Sequence, residues 1–351
     1  MLKVLAVGDD FMNPEVLAEK LRETLSEVDE VEVKTLKWGF KGYQLGRVMG
    51  VKKEVREFSG KPEDLIPHMK DIDILVVHVA PVTKEVMEAS GRLRIVGCAR
   101  GGPVNVDVDA ATMLGIPVIR TPGRNAEAVA DYAIGLIIAH TRNIAKAYHL
   151  LKQGIWKDEF YFYDECGFEM KGKKLGLIGF GRVGVELCRR ARALGMKILA
   201  YDPYVKPEAI RAEGAEPVDF ETLLRESDIV SVHARLTEET RHMIGEREFK
   251  LMKPTAIFVN TARGELVDEK ALVKALENGW IAGAALDVFE REPLPPDSPL
   301  LKMENVTVTP HIAGASKETV YRSATMIAED IKRILKGERP KFCVNPEVLG
   351  K

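Results

Sequence analysis

The stretch KLGLIGFGRVGVELCRRARALGMKILAYD, residues 174–202, decides the fold. An apolar run ending at Gly179 reads as a buried strand. Gly179, Gly181 and Gly184 follow with the spacing G-x-G-x-x-G, and Val183, Leu187, Ala191 and Leu194 then recur at helical spacing. A second apolar run closes on Tyr201 and Asp202. The order strand, glycine turn, helix, strand gives the turn its chemistry. One glycine makes the tight bend, the next lets backbone approach a pyrophosphate, and the third lets the helix pack against the strand. The helix N-terminus, opened by Arg182 and Val183, presents unpaired N–H groups to the anion. Asp202 stands 18 residues past Gly184, close to the ~20 expected of an acid that binds a ribose. With Tyr201 and Pro203 it marks the strand end where the adenosine would lie. A carboxylate there repels a 2′-phosphate and no arginine follows directly, so the pattern predicts NAD rather than NADP.

Outward from this unit the chain alternates strands and amphipathic helices, the pattern of parallel sheets covered by helices. A first block runs strand Lys3–Val7, helix Pro14–Leu25, strand Val31–Leu36, strand Ile72–Val79, helix Lys84–Ala89, strand Leu93–Cys98, helix Val108–Leu114 and strand Pro117–Ile119. Its Gly8 has no companion glycines, so this block is expected to hold the substrate. A second block starts at Lys174. Between them Asn125–Gln153 reads as one long helix, with Val129, Tyr132, Ala133, Leu136, Ile137 and His140 on one face. The last helix, Lys317–Leu335, comes after the second block is complete and is expected to pack on the first. The prediction is α/β with two doubly wound parallel-sheet domains and a cleft between them. A flavodoxin-like substrate domain takes 1–121 and 315–351, and a Rossmann NAD domain takes 122–314. Residues 38–60, charged and glycine-bearing with no clean period, are expected to form an excursion over the surface.

The 351 residues are 46% hydrophobic and 30% charged, a globular profile. Lys+Arg 51 against Asp+Glu 53 leaves a net charge of -2, which argues against a nucleic-acid partner. No apolar run approaches the ~18 residues of a membrane span. Cys98, Cys166, Cys188 and Cys343 make neither a CxxC pair nor a zinc spacing, so reduced thiols, a cytoplasmic location and no metal are expected.

Three polar residues stand where strands of the second block end: Arg263 in VNTARGELVD, Glu292 in LDVFEREP and His311 in VTPHIAG. Ligands of open α/β sheets bind at such ends. An arginine forks onto a carboxylate and polarises a neighbouring carbonyl. A histidine gives or takes a hydroxyl proton near neutral pH, and a carboxylate beside it fixes its tautomer. Taken singly, each has an ordinary structural reading as a cap, a solvated charge or a loop hydrogen bond. Beside a dinucleotide fold, the three together point to acid–base chemistry at a hydroxyl or carbonyl.

Seven ordered segments extend the pattern over nearly the whole chain: GGPVNVD (101–107), TPGRNAEAVAD (121–131), LIGFGRVG (177–184) with Asp202, VHARLTEETRHMIG (232–245), NTARGELVD (260–268), LDVFEREP (286–293) and TPHIAG (309–314). On these segments the chain resembles the D-isomer-specific 2-hydroxyacid dehydrogenases, and looks closest to their D-3-phosphoglycerate dehydrogenase branch. The resemblance implies a catalytic Arg263–Glu292–His311 set and hydride transfer between NAD and a D-2-hydroxy acid/2-keto acid pair. It implies cofactor contacts at His233, Ala234 and Thr240, at Thr261, Ala262, Arg263 and Asp287 near the nicotinamide, and at His311, Ala313 and Gly314. It implies a substrate loop at Arg100, Gly101 and Gly102, with His78 also facing substrate, and a homodimer through the NAD domain and its long helix.

Certain departures carry expectations of their own. The phosphoglycerate enzymes usually bear an arginine where this chain has His78, which predicts weak preference for a phosphorylated substrate. Ala234–Arg235 replaces the proline usual before Leu-Thr. DEFYFYDECGFE (158–169) is longer and more aromatic than usual, and Tyr161 and Tyr163 are expected in core or dimer packing rather than in the active site. No regulatory domain follows residue 351, so feedback through an appended domain is not expected. The competing readings are a glyoxylate/hydroxypyruvate reductase, a formate dehydrogenase, which needs no acid–base carboxylate, and an NAD-responsive corepressor on the same scaffold.

Overall fold

A computed structural model describes residues 1–39 and 55–350. Two sheets, all parallel, organise the chain. The first contains β1 (Leu2–Gly8), β2 (Val31–Lys37), β3 (Ile74–Val77), β4 (Ile95–Cys98) and β5 (Val118–Ile119), in the order β2-β1-β3-β4-β5. The second contains β6 (Lys174–Ile178), β7 (Lys197–Tyr201), β8 (Glu216–Pro217), β9 (Ile229–Val232), β10 (Ile257–Asn260), β11 (Gly283–Leu286) and β12 (Val306–Val308), in the order β12-β11-β10-β9-β6-β7-β8. These are the expected doubly wound parallel sheets. The strand order reverses direction between β1 and β3 in the first sheet, and between β6 and β9 in the second. Such switch points leave a crevice beyond the carboxyl ends of the strands.

The chain forms two compact units, Met1–Arg124 with Ala315–Lys351, and Asn125–Gly314. In the first, alternate residues of each strand face opposite layers, as the strand period of two requires. Leu5, Val7, Leu75 and Val77 pack toward Leu65, Met69 and Val86. Val4, Ala6, Ile74 and Val76 pack toward Leu17 and Leu21 of the first helix and Val320, Ile327 and Ile331 of the last. Burial on both faces explains why the strands read as continuous apolar runs. The second unit repeats the plan, with Leu175, Leu177 and Ala200 against Ala133, Leu187 and Ala191, and Val230, Val232 and Phe258 against Leu223, Phe249 and Leu272. Helix starts are set locally. Asn13, Asp107, Asp268 and Ser316 each accept a hydrogen bond from a first-turn N–H.

Several expectations need correction. The long helix over 125–153 is two helices, Ala126–Thr141 and Ile144–Lys152, because Asn143 adopts a left-handed φ of 57° between them. Asparagine tolerates that conformation better than most residues, and apolar periodicity does not register it. The short strand β8 and the helices Pro62–Leu65 and Pro207–Ala212 were not anticipated, being too short for a period to show. Tyr161 and Tyr163 are 94% and 92% exposed, which rules out core packing within the chain. Residues 40–54 of the 38–60 stretch lie outside the described residues. Among the described residues no helix is long and apolar enough to cross a membrane, and no cluster of three His, Cys, Asp or Glu side chains is placed to hold a metal.

Candidate active site

The glycine turn after β6 has the geometry its sequence requires. Gly179 has φ 95°, and a Cβ there would lie 2.7 Å from the Ala234 nitrogen. A Cβ at Gly184 would lie 2.5 Å from the Gly179 carbonyl oxygen, so only glycine lets the helix Arg182–Ala193 approach the strand this closely. Gly181 differs. It is the N-cap residue of that helix, and a Cβ on it would meet nothing within 4 Å. Open space at a helix N-terminus fits a dinucleotide pyrophosphate. Asp202, at the end of β7, accepts hydrogen bonds from Phe180 N (2.8 Å), Tyr204 N (2.9 Å) and Val205 N (3.2 Å). It braces the glycine turn. Its neighbours Tyr201 and Pro203 flank the same strand end.

The opposite side of the turn is formed by the end of β9. His233 bonds through Nε2 to Ser231 Oγ at 2.8 Å, and desolvation of the ring pushes its pKa down to about 4. Ala234 lies against the Gly179 turn, and Thr240 ties its own loop by donating to the Arg235 carbonyl at 2.7 Å. After β10, the Asn260 side chain holds the next turn from inside. It donates to the Arg263 carbonyl (2.9 Å) and accepts from Ala262 N (3.0 Å). Thr261 is buried and its hydroxyl has no partner, a second polar feature that fits a bound cofactor.

Two of the residues expected to carry the chemistry, His311 and Glu292, meet through two loops. His311 Nδ1 lies 2.7 Å from Glu292 Oε2, while Glu292 Oε1 accepts from Phe289 N at 3.0 Å. Both carboxylate oxygens are thus committed, and the imidazole is anchored by Nδ1 with Nε2 on its far side. His311 has a left-handed φ of 53°. Asp287 is fully buried. Its oxygens accept from Thr309 Oγ1 (2.6 Å), Ile312 N (3.0 Å) and Ala313 N (2.8 Å), so its work is to clamp the loop through Ala313 and Gly314 that carries His311. Gly264 draws the Arg263 turn onto the loop of Glu292, since a Cβ there would fall 1.9 Å from the Phe289 carbonyl carbon. Arg263 itself is exposed, with Nη1 donating to the Ala262 carbonyl at 2.7 Å. Asn260, Gly264 and Thr309 were missed as site residues although they lie inside the quoted motifs, because their part is to fix backbone and no titratable group signals it.

In the first unit the sequence reading is corrected at His78. It is wholly buried, with Nδ1 2.5 Å from Asp9 Oδ2, so it offers no surface to a substrate. Burial holds its pKa below the usual value against the opposing pull of Asp9. Arg100 is likewise engaged, through an ion pair with Glu57 and a bond to the Glu57 carbonyl at 2.7 Å. Gly101 and Gly102 remain open, a Cβ on either meeting nothing nearer than 3.9 Å.

Residues 134–313 match the NAD binding domain of the D-isomer specific 2-hydroxyacid dehydrogenases. The chain is 48% identical over 286 residues to a glyoxylate reductase of Korarchaeum cryptofilum, covering 81% of this chain and 86% of that one. It is 44% identical over 296 residues to a D-3-phosphoglycerate dehydrogenase of Methanocaldococcus jannaschii, covering 82% of this chain and 56% of that one. Among solved structures, the NAD complexed form of a D-isomer specific 2-hydroxyacid dehydrogenase from Lactobacillus delbrueckii ssp. bulgaricus superposes with a TM-score of 0.77 at 25% identity, covering 98% of this chain and 100% of that one. The chain belongs to the D-isomer specific 2-hydroxyacid dehydrogenase family. It is an NAD-dependent oxidoreductase for a D-2-hydroxy acid and its 2-keto acid.

Proposed function

We propose that Arg263, Glu292 and His311 carry this reaction, the second unit holding NAD and the first holding the substrate. The observation that supports it is the 2.7 Å bond from Glu292 to His311 Nδ1, which leaves Nε2 for a substrate oxygen. NAD, when bound, supplies the hydride acceptor, or as NADH the donor. Arg263 forks onto the substrate carboxylate and polarises the oxygen on carbon 2. In oxidation His311 Nε2 takes the hydroxyl proton, and Glu292 stabilises the imidazolium that forms. In reduction the protonated Nε2 returns that proton to the carbonyl oxygen. The uncrowded loop at Gly101 and Gly102 suits the carboxylate common to every such substrate. Relatives named glyoxylate reductase and D-3-phosphoglycerate dehydrogenase support a small 2-keto acid whose head group this site would address. NADH consumption with glyoxylate, hydroxypyruvate and phosphohydroxypyruvate tests the reading, and no turnover with any of them would overturn it.

Two further assignments belong to the same proposal. The helix Ile144–Lys152 exposes Tyr148, and with the turn after it exposes Leu151, Ile155, Trp156 and Phe162 around a cavity of about 490 Å³. An apolar face of this size supports a homodimer through the second unit, and a monomeric mass in sedimentation would count against it. Free, buried Cys98 and Cys188, with thiol pKa values pushed up to about 11 by burial, suit the reducing cytoplasm.

A further inference from the structure

Glu292 is held by a turn that is itself held, and the hold reaches three loops of the second unit. Phe289 N donates to Glu292 Oε1, and the next amide in the chain, Glu290 N, donates to Glu269 Oε2 at 3.1 Å. Glu269 returns the contact, its own N–H reaching Glu290 Oε1 at 3.4 Å. The two glutamates thus exchange backbone-to-carboxylate bonds between the turn after β11 and the helix Glu269–Glu277. That helix does not need Glu269 as its cap, since Asp268 already accepts from Lys270 N and Ala271 N. Burial, with the facing charge of Glu290, holds the Glu269 carboxyl above its usual range. A donor to this pair comes from a third loop, where His242 Nε2 lies 2.6 Å from Glu290 Oε1. An ionised carboxylate only accepts, so Nε2 carries a proton. His242 has a left-handed φ of 53°, and its N–H donates to the Glu265 carbonyl at 2.8 Å. The loop after β9 is thereby tied to the loop of Arg263 through its backbone and to the loop of Glu292 through its imidazole.

We propose that Glu290, Glu269 and His242 are positioning residues for the proton transfer: together they fix the Phe289–Glu290 turn, which fixes Glu292, which anchors His311. The inference rests on the assignment of Glu292 and His311 as the proton-transfer pair and adds the side chains that set their geometry. A reacting pair keeps its geometry only when the groups behind it are themselves locked by hydrogen bonds. Here consecutive amides of one turn do both jobs, Phe289 N holding the carboxylate and Glu290 N being held by Glu269.

The test reads the Glu292–His311 hydrogen bond itself, without requiring turnover. A proton on His311 Nδ1 bonded to a carboxylate resonates far downfield in the proton NMR spectrum of the resting enzyme, and its loss in His311→Gln assigns it. Glu290→Ala should move this signal upfield or broaden it away. Glu290→Gln, which keeps an acceptor oxygen for Glu269 N and His242, should retain it. His242→Ala should act in the same direction as Glu290→Ala, and His242→Gln, which keeps a donor, should restore the signal. The two alanine variants should also lose about 10- to 100-fold in kcat on the best 2-keto acid, the range of a misplacement of up to ~1 Å, with NADH affinity within about threefold of the parent. The double variant should lose no more than the worse single one, as for residues acting through one contact. His242 is exposed, so His242→Ala carries the test where Glu290→Ala does not fold. No downfield signal in the intact protein, a signal unchanged in the alanine variants, or kcat losses that multiply in the double variant would overturn the inference. Absence of turnover with every keto acid would instead sink the catalytic reading and leave the signal to decide the positioning.

Discussion

Gly264→Ala is the sharpest single perturbation of the candidate catalytic set, because it touches none of the three reacting side chains. The added Cβ would fall 1.9 Å from the Phe289 carbonyl carbon, 2.0 Å from its oxygen and 2.4 Å from Glu290 N. Ordinary contact begins near 3.4 Å, so the two backbones must part by roughly 1.5 Å. Both are backbone and cannot rotate away. Arg263 precedes the added methyl directly. Phe289 is the residue whose N–H fixes Glu292, which fixes His311. The separation therefore shifts Arg263 relative to the imidazole. A misplacement of ~1 Å costs about 100-fold in rate, so kcat/KM should fall at least ~100-fold, about 2.7 kcal/mol of transition-state stabilisation. Overpacking should also lower stability by ~1–3 kcal/mol. The assay is NADH-coupled kcat/KM on the best keto acid, with NADH binding and thermal unfolding measured in parallel. Gly91→Ala serves as control, since its Cβ would meet nothing within 4 Å. A folded Gly264→Ala enzyme retaining kcat/KM within threefold of the parent would refute the claim that this glycine sets the catalytic geometry.

Three other outcomes are expected. With Asp202 at the end of β7, kcat/KM for NADH should exceed that for NADPH at least ~10-fold, a difference of only ~1.4 kcal/mol; parity at low salt would contradict it. His311→Ala should lower kcat by ~100- to 10,000-fold with NADH affinity nearly unchanged, and Glu292→Gln should also lower kcat, because an amide in place of the carboxylate loses the tautomer control. A kcat preserved in either variant removes that residue from the mechanism. Burial pushes the pKa values of His140 and His233 down to about 4, so between about pH 4 and 6.5 the unfolded chain binds protons that the folded chain does not. Stability should therefore decline as pH falls through that window, by up to ~1.4 kcal/mol per pH unit for each histidine. His140→Gln should shallow the slope of Tm against pH, and an unchanged slope would show that His140 does not contribute.

What could be read in the sequence was whatever is periodic or carried by a motif. The strands of both sheets recur as apolar runs because both faces are buried, and the structure trims them by a residue or two, as at β3. The glycine fingerprint is legible because each glycine answers a distinct steric demand. Arg263, Glu292 and His311 are legible as polar residues at strand ends. Their second roles are not. Asp287 looks like a cofactor ligand in LDVFEREP, yet its carboxylate faces inward to the loop of His311. His78 looks like a weakened substrate arginine, and only the fold shows its ring wholly buried against Asp9. The break at Asn143 depends on one backbone angle, and short elements such as β8 have too few residues for a period.

The order in which the units can be completed follows from the interleaving of the chain. Residues 125–314 are contiguous, but the first unit needs Ala315–Lys351 to cover Val4, Ala6 and Leu21 with Val320, Ile327 and Ile331. Residue Cys343 also bridges to Ile119 beside β5. During synthesis at ~5–20 residues per second, the 190 residues between Arg124 and Ala315 take about 10–40 s to emerge. Through that interval the first sheet has one apolar layer incomplete, and at its end the second unit has all of its own sequence. The middle of the chain can therefore reach its native fold before the beginning does, and it is the earliest residues that wait, sticky and half-covered, for the last helix.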